Sequence, residues 1–254
     1  MGKNCQEFNA EVEIVNIVNH IKKYFAENGG PTTKAVIGIS GGKDSLALLY
    51  ALAGLRKFYP KNFEICAITV DLGYPNFNLT LIQDLCNELE VEYHIVSTKI
   101  GEIVEQSDKR LSPCSLCSKL RKGALNNEAV KLGCNKIAYA HHMDDLIETM
   151  FLSLIYEGRF YCFPPVTYLE QTKLTVIRPL MLVPEVDIIG FGNKYPLPTV
   201  KNACPYDGHT KRAQIKDLVK QLHMQYPGVK KRLFHAIVTG NIEDWEIGNQ
   251  KRED

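Results

Sequence analysis

Three groups of residues in this chain have the types and spacing to do chemistry. The first is Ser40-Gly41-Gly42-Lys43-Asp44-Ser45, which follows the apolar run Val36-Ile37-Gly38-Ile39. A strand passing into a helix through two glycines suits an anion: glycine admits phosphate oxygens close to the backbone, and the first helical amides donate to them along a favourable dipole. Ser40 and Ser45 add hydroxyls and Lys43 a cation. The GxxxxGK[ST] spacing of a Walker loop is absent. The plainer alternative is a tight turn with Lys43-Asp44 as its solvated edge.

The second group is drawn from eight cysteines, at positions 5, 66, 86, 114, 117, 134, 162 and 204. Cys66 lies in the apolar run Ile65-Cys66-Ala67-Ile68, and Cys86 and Cys134 accompany helical patterns, so these three read as small buried hydrophobes. Cys114-Ser115-Leu116-Cys117 instead places two thiols where a loop meets a helix, with Lys119, Arg121 and Lys122 to stabilise their charge. A CxxC alone fits a redox pair, half a zinc site or part of an iron–sulfur site. A four-cysteine zinc site wants a second CxxC, and there is none. Cys204, in Asn202-Ala203-Cys204-Pro205-Tyr206, has the setting of an exposed ligand loop.

The third group is His141-His142-Met143-Asp144-Asp145. Paired carboxylates beside a triphosphate suit Mg²⁺ or the positioning of a reacting base, and a helix start capped by Asp144 or Asp145 is the alternative. Asp71 ends the run Thr69-Val70-Asp71 and either holds a ribose hydroxyl or metal or caps a turn. Arg178, in Ile177-Arg178-Pro179, suits a phosphate contact or an ordinary surface ion pair.

Positioning these groups requires a frame. Apolar residues at 12, 15, 18, 21 and 25 predict an amphipathic N-terminal helix that stops at Gly29-Gly30-Pro31. Strands are predicted at 34–39, 63–70, 92–96 and 136–140, with helices at 45–57, 79–89, 116–132 and 144–156 between and after them. This alternation specifies an α/β fold with a mainly parallel sheet and helices on both faces. From Pro164-Pro165 onward, apolar stretches at 166–169 and 174–177 and scattered prolines break the pattern, so the last third reads as a looser elaboration ending in helices at 210–224 and 229–237. The expected division is an N-terminal helix (1–30), a nucleotide-binding domain (31–180) and a C-terminal extension (181–254) that carries Cys204.

Composition narrows the class. With 45% hydrophobic and 23% charged residues the chain can bury a full core. No apolar run approaches membrane-spanning length and the first ten residues are too polar for a secretion signal, so a soluble cytoplasmic protein without a membrane partner is expected. Net charge is +1, but Lys109-Arg110, Lys119 with Arg121-Lys122, Lys211-Arg212 and Lys230-Lys231-Arg232 could together form a basic surface, or remain solvated faces.

The hexapeptide after a first strand resembles the PP-loop of ATP-pyrophosphatases. Together with CSLCSKLRKGALNNEA from Cys114 to Ala129, Ala140-His141-His142-Met143-Asp144-Asp145 and Glu148-Thr149, it is similar to the tRNA 2-thiocytidine synthetase branch of that superfamily, over roughly positions 35 to 215. The resemblance implies a Rossmann-like sheet of the adenine nucleotide alpha hydrolase type. It implies ATP with Mg²⁺ held by Ser40, Gly41, Gly42, Lys43, Asp44, Ser45, Asp71, His141 and Asp145, with Lys43 and Asp144 in catalytic roles. It also implies a [4Fe-4S] cluster on Cys114, Cys117 and Cys204, whose open iron can carry sulfide.

The activity implied is ATP-dependent sulfur transfer to tRNA: the C2 carbonyl of a flipped pyrimidine, cytidine in this branch, is adenylated, and sulfur then replaces its oxygen. The sulfur donor would be sulfide or a cysteine desulfurase persulfide, and the N-terminal helix could serve a homodimer interface. The loop Cys204-Pro205-Tyr206 lacks a second cysteine and is more like the 2-thiouridine branch, and Ala140 stands where the family often has Gly. A small-molecule acceptor and a non-catalytic, zinc-stabilised nucleotide-binding module are the competing readings.

Overall fold

The structure, a computed structural model, describes residues 10–28, 34–57, 59, 63–75, 77–107, 112–200, 204–205 and 210–240, with side chains of the first helix from Ile17 onward. The Gly29-Gly30-Pro31 stop, the Lys109-Arg110 pair, the immediate neighbours of Cys204 at 202, 203 and 206, and the end of the C-terminal extension lie outside these residues.

Six strands form one sheet: β1 Lys34–Gly38, β2 Glu64–Asp71, β3 Glu92–Ser97, β4 Lys136–Ala138, β5 Val166–Leu169 and β6 Leu174–Ile177, in the order β3-β2-β1-β4-β6-β5. All neighbours are parallel except β5 with β6. The first four strands match the sequence expectation to within two residues. The stretches expected to break the pattern instead extend the sheet. Residues 166–169 and 174–177 form an antiparallel hairpin, turned by Lys173 at φ 57°, whose second strand lies parallel to β4.

Among the described residues nine helices accompany the sheet: α1 Ala10–Asn28, α2 Lys43–Leu55, α3 Thr80–Glu88, α4 Ile100–Glu105, α5 Pro113–Lys131, α6 Met143–Glu157, α7 Glu185–Lys194, α8 Lys211–Gln225 and α9 Val229–Thr239. Right-handed crossovers put α2 and α3, which link strands progressing one way across the sheet, on the face opposite α5, which returns the chain to β4. The central strand β2 is buried along Ile65–Val70 on both of its faces, as a covered parallel strand must be. α4 and α7 are additions to the sequence reading. Proline begins α5 three residues earlier than expected: Pro113 occupies N1, where its missing N–H costs nothing and its φ is preset.

The chain forms two compact units. One comprises Met1–Asp145 and Phe163–Thr210, the other Leu146–Cys162 and Lys211–Asp254. These boundaries differ from 31–180 and 181–254, because residues 181–210 fold with the sheet. The first unit holds the sheet, with β-strand and α5 residues such as Val36, Ile68, Ile137, Leu125 and Ala129 in one apolar cluster. The second packs Ile147 and Phe151 of α6 with Ile215 and Val219 of α8 and Phe234 of α9. No helix among the described residues is long and apolar enough to cross a membrane.

Tyr24 of α1 ties the sheet edge to its cover. Its hydroxyl donates to Pro165 O at 2.6 Å and accepts from Arg178 N at 2.9 Å, in a fully buried position. Tyr24→Phe therefore removes a buried partner of Arg178 N and leaves Pro165 O with the longer contact from Arg178 Nη1 at 3.5 Å, and we expect a loss of about 1–3 kcal/mol in urea unfolding. A stability equal to wild type would show that the bridge contributes nothing.

Candidate functional site

β1 and β4 are neighbours, yet the chain leaves β1 toward β2 and leaves β4 toward β6. Such a switch point opens a crevice beyond the carboxyl ends of the two strands. Register places Ile37 beside Ala138, so the loop after Gly38 and the loop after Ala138 flank that crevice. Asp71 and Arg178 follow β2 and β6 at the same edge. Because α5 runs back toward the start of β4, its first turn lies at that edge too. Topology thus brings the glycine loop, the turn before α6 and the Cys114–Cys117 turn to one edge of the sheet.

The glycine loop is shaped by its own hydrogen bonds. Gly41 adopts φ +83°, and a Cβ there would stand 3.1 Å from Val200 O. Gly41 O accepts from Val200 N at 2.9 Å. Buried Ser45 accepts from Ser40 N at 3.2 Å and donates to Gly42 O at 2.9 Å, while the two serine hydroxyls lie 3.2 Å apart. No side chain caps the N-terminus of α2, whose amides face the crevice in the manner of an anion site.

Lys43 is held by two carboxylates, Asp44 Oδ1 at 2.9 Å and Glu185 Oε1 at 3.0 Å. Burial alone would lower its pKa, but the hydrogen bonds and charges of Asp44 and Glu185 outweigh it and raise the pKa above the ordinary lysine value. The pairing is complete at neutral pH and is lost only as pH rises through that raised value. Asp144 is buried, and its Oδ2 accepts from Glu185 N at 2.8 Å, fixing the first residue of α7. Asp145 Oδ2 accepts from His142 N at 3.0 Å, in the geometry of a cap. The buried His142 ring directs Nε2 to Asp145 at 3.5 Å and Asp44 at 3.8 Å. The sequence names His142 only as part of its motif, without a role of its own, and does not single out Glu185. Glu185 is 142 positions from Lys43, and only its place after Pro184 at a helix start gives a signal.

Asp71 accepts from Gly73 N at 2.9 Å through Oδ1, closing the turn after β2. Arg178 occupies a third setting beyond the two considered: it is buried, donates to Pro164 O at 2.6 Å, and lies 5.0 Å over the Phe163 ring. The His141 ring stacks on the same Phe163 at 4.8 Å with a 34° tilt, and lies edge-on to Tyr139.

Cys114 and Cys117 are i and i+3 on the first turns of α5 and so share a helix face. Cys114 is exposed, while Cys117 and Cys204 are half-buried. Burial pushes the Cys117 thiol up, Arg121 draws it down, and Cys204 and Cys114 push it up again as neighbours of like charge. Cys117 therefore has both other thiols as neighbours, although among the described residues no three His, Cys, Asp or Glu side chains stand at metal-ligand spacing. The donor chemistry and neighbourhood fit a thiophilic metal group that draws them together. Lys122 extends the cationic field: partial burial of its ammonium, then Arg178 and Arg121, lower its pKa. Cys204 is four residues beyond Val200, so its Cα lies within about 14 Å of Val200, whose amide rests on the glycine loop.

Comparison with known proteins bears on this geometry. Residues 13–222 match the model of the PP-loop domain family. The chain is 34% identical over 242 residues to the tRNA-cytidine(32) 2-sulfurtransferase of Geobacter sulfurreducens, covering 93% of each chain. It is 39% identical over 207 residues to that of Geotalea uraniireducens, covering 80% of this chain and 82% of the other. The structure of the U34-tRNA thiolase NcsA from Methanococcus maripaludis with its [4Fe-4S] cluster superposes with a TM-score of 0.74 at 25% identity, over 90% of this chain and 78% of that one.

Replacing Gly41 by Ala forces a left-handed backbone and a Cβ against Val200 O. At a cost of roughly 1–2 kcal/mol for the conformation alone, we expect ATP binding measured by calorimetry to weaken about tenfold or more. An unchanged Kd would remove this loop from the nucleotide site.

Proposed function

The chain belongs to the PP-loop domain family, and from that membership we propose that it is an ATP-dependent tRNA sulfurtransferase that converts a cytidine, at position 32 of the anticodon arm, to 2-thiocytidine. The relatives named for this reaction span most of the chain at 34% and 39% identity. The observation that supports the reading most directly is the Val200–Gly41 hydrogen bond, four residues before Cys204 in the chain. A U34 thiolase shares the fold, so 2-thiouridine is the second reading.

In the mechanism proposed, Ser40 to Ser45 and the amides of α2 receive the phosphates of ATP. Lys43, kept charged, exchanges its two carboxylate partners for phosphate oxygens and neutralises charge as pyrophosphate departs. Asp71, Asp44 or Asp145 would supply carboxylate oxygen to a magnesium ion that accompanies the phosphates. Asp144 acts as a positioning residue: by fixing Glu185 it fixes Lys43. His141 on Phe163 offers a flat partner for an extruded base. The C2 oxygen of that base attacks the α-phosphate, the bond to pyrophosphate breaks, and C2 becomes electrophilic. Sulfide attack at C2 then expels AMP, which takes the former carbonyl oxygen, and no net electron transfer is needed. A [4Fe-4S] cluster on Cys114, Cys117 and Cys204 would supply sulfide at the iron that lacks a protein ligand. Arg121 would favour the thiolate of Cys117 against the burial that raises it. Sulfide or a persulfide would be the sulfur source, and the cytoplasm, where tRNA is found, the site of action.

Mass spectrometry of tRNA nucleosides tests the reading. Deleting the gene should abolish 2-thiocytidine, the intact chain should restore it, and Cys204→Ala should fail to restore it while still binding ATP. Loss of 2-thiouridine instead would move the assignment to the second reading, and an unchanged profile would reject both.

A further inference from the structure

The second compact unit carries charge in places its own folding disfavours. Its described residues, 146–162 and 211–240, hold eight lysines and arginines against three carboxylates, in a chain whose net charge is +1. Residues beyond 240 bring more carboxylates than cations, so the excess belongs to the helices.

α8 opens on Lys211-Arg212, and α9 opens on Val229 followed by Lys230-Lys231-Arg232, with no acidic residue in either first turn. Unpaired amides and the helix dipole already make such ends positive, so cations there are repelled. Along α8, Arg212, Lys216 and Lys220 recur every four residues, a spacing at which like charges also oppose one another. Part of this charge is answered within the unit. Arg212 reaches the buried Glu148 at 3.1 Å and Thr149 at 3.2 Å, and Arg232 turns back to Pro227 O at 3.3 Å. Lys220, Lys231 and Arg232 are nonetheless exposed. The stripe continues from α8 through the turn at Tyr226-Pro227-Gly228 into the first turn of α9.

Flat side chains accompany the cations. Lys211 lies 4.3 Å over Tyr156 and Arg159 4.8 Å over Tyr161, while Phe160 is 67% exposed and Tyr226 51%. Closely spaced cations with solvent-facing aromatics match the two faces of RNA, its phosphates and its unpaired bases.

We propose that α8, the first turn of α9 and residues 156–161 form a docking surface for the sugar–phosphate backbone of the RNA substrate. The inference rests on the tRNA reading above and adds the second unit as the place where the polyanion is held. A polyanion would relieve repulsion that the free unit bears, which accounts for cations at helix starts.

Binding of unmodified, deacylated tRNA by fluorescence anisotropy across a salt series tests it, using wild type and the triple variant Lys220→Gln, Lys231→Gln, Arg232→Gln. The variant should bind about tenfold or more weakly, and the slope of log K against log salt should fall by about two, since each phosphate contact contributes roughly 0.7–0.9. Its Tm without RNA should equal or exceed that of wild type. Unchanged affinity and slope overturn the proposal, as does a Tm that falls together with affinity. Tighter binding to phosphatidylserine vesicles than to tRNA overturns it as well. Should wild type bind tRNA with a steep slope yet thiolate none, the functional reading fails and this surface stands. Should it thiolate tRNA while the variant binds like wild type, this inference alone falls.

Discussion

The left-handed backbone at Gly41 is the constraint on which the first unit's chemistry depends. Had the chain continued extended from β1, the carbonyl of residue 41 would not be turned onto Val200 N, and an oxygen lone pair would be left to repel an incoming phosphate. With φ at +83° the oxygen is instead consumed by the Val200 amide, and the amides that follow open α2 without a side-chain cap. The same bond fixes the segment that leads to Cys204. Glycine alone accommodates both the dihedral at 41 and the approach of Val200 O.

Electrostatics in this unit follows a chain of dependence rather than a set of separate pairs. Buried Asp144 commits an oxygen to the amide of Glu185, which sets where α7 begins; Glu185 then reaches Lys43, and Asp44 closes the group from the other side. Without phosphate, Lys43 is thus already paired, and an anion at the loop competes for it with two carboxylates, of which Glu185 is buried. The thiol shelf is organised the other way. There Arg121, Lys122 and Arg178 are mutually repelling cations, a field that awaits negative charge.

The difference between what sequence and structure reveal follows the range of the interactions. β1 to β4 and their helices were legible because hydrophobic period and the flanking turns are local, and Ser40 to Ser45 was legible because a phosphate loop is made of consecutive residues. The β5–β6 hairpin was not, since Val166–Leu169 and Leu174–Ile177 are four-residue runs between prolines whose pairing depends on the exposed edge of β4. α7 contains Gly190 and Gly192, which mask its pattern. Glu185 and His142 could not be ranked, because neither acquires its meaning until residues far apart in the chain converge. Arg178 misled for a related reason: its sequence neighbours do not show that Pro164 O and Phe163 lie beneath it.

Burial also accounts for the number of available thiols. Cys66 and Cys134 face each other at 3.5 Å within the apolar core, and Cys86 is fully enclosed, with burial raising its pKa to about 11. Cys162, in the second unit, donates to Leu146 O at 3.4 Å and is likewise raised to about 11. Thiols locked in packing are not free to reach a metal group. Among the described cysteines, Cys114 is exposed, Cys117 and Cys204 are half-buried, and Cys117 has Arg121 close by. Two ligands on one rigid helix face cannot surround a metal group, so the third must come from another segment, and Cys204 arrives on the strand of chain anchored at Gly41. On the proposed reading, packing of the core withholds Cys66, Cys86 and Cys134 from such a group, which would leave three ligands among the described cysteines.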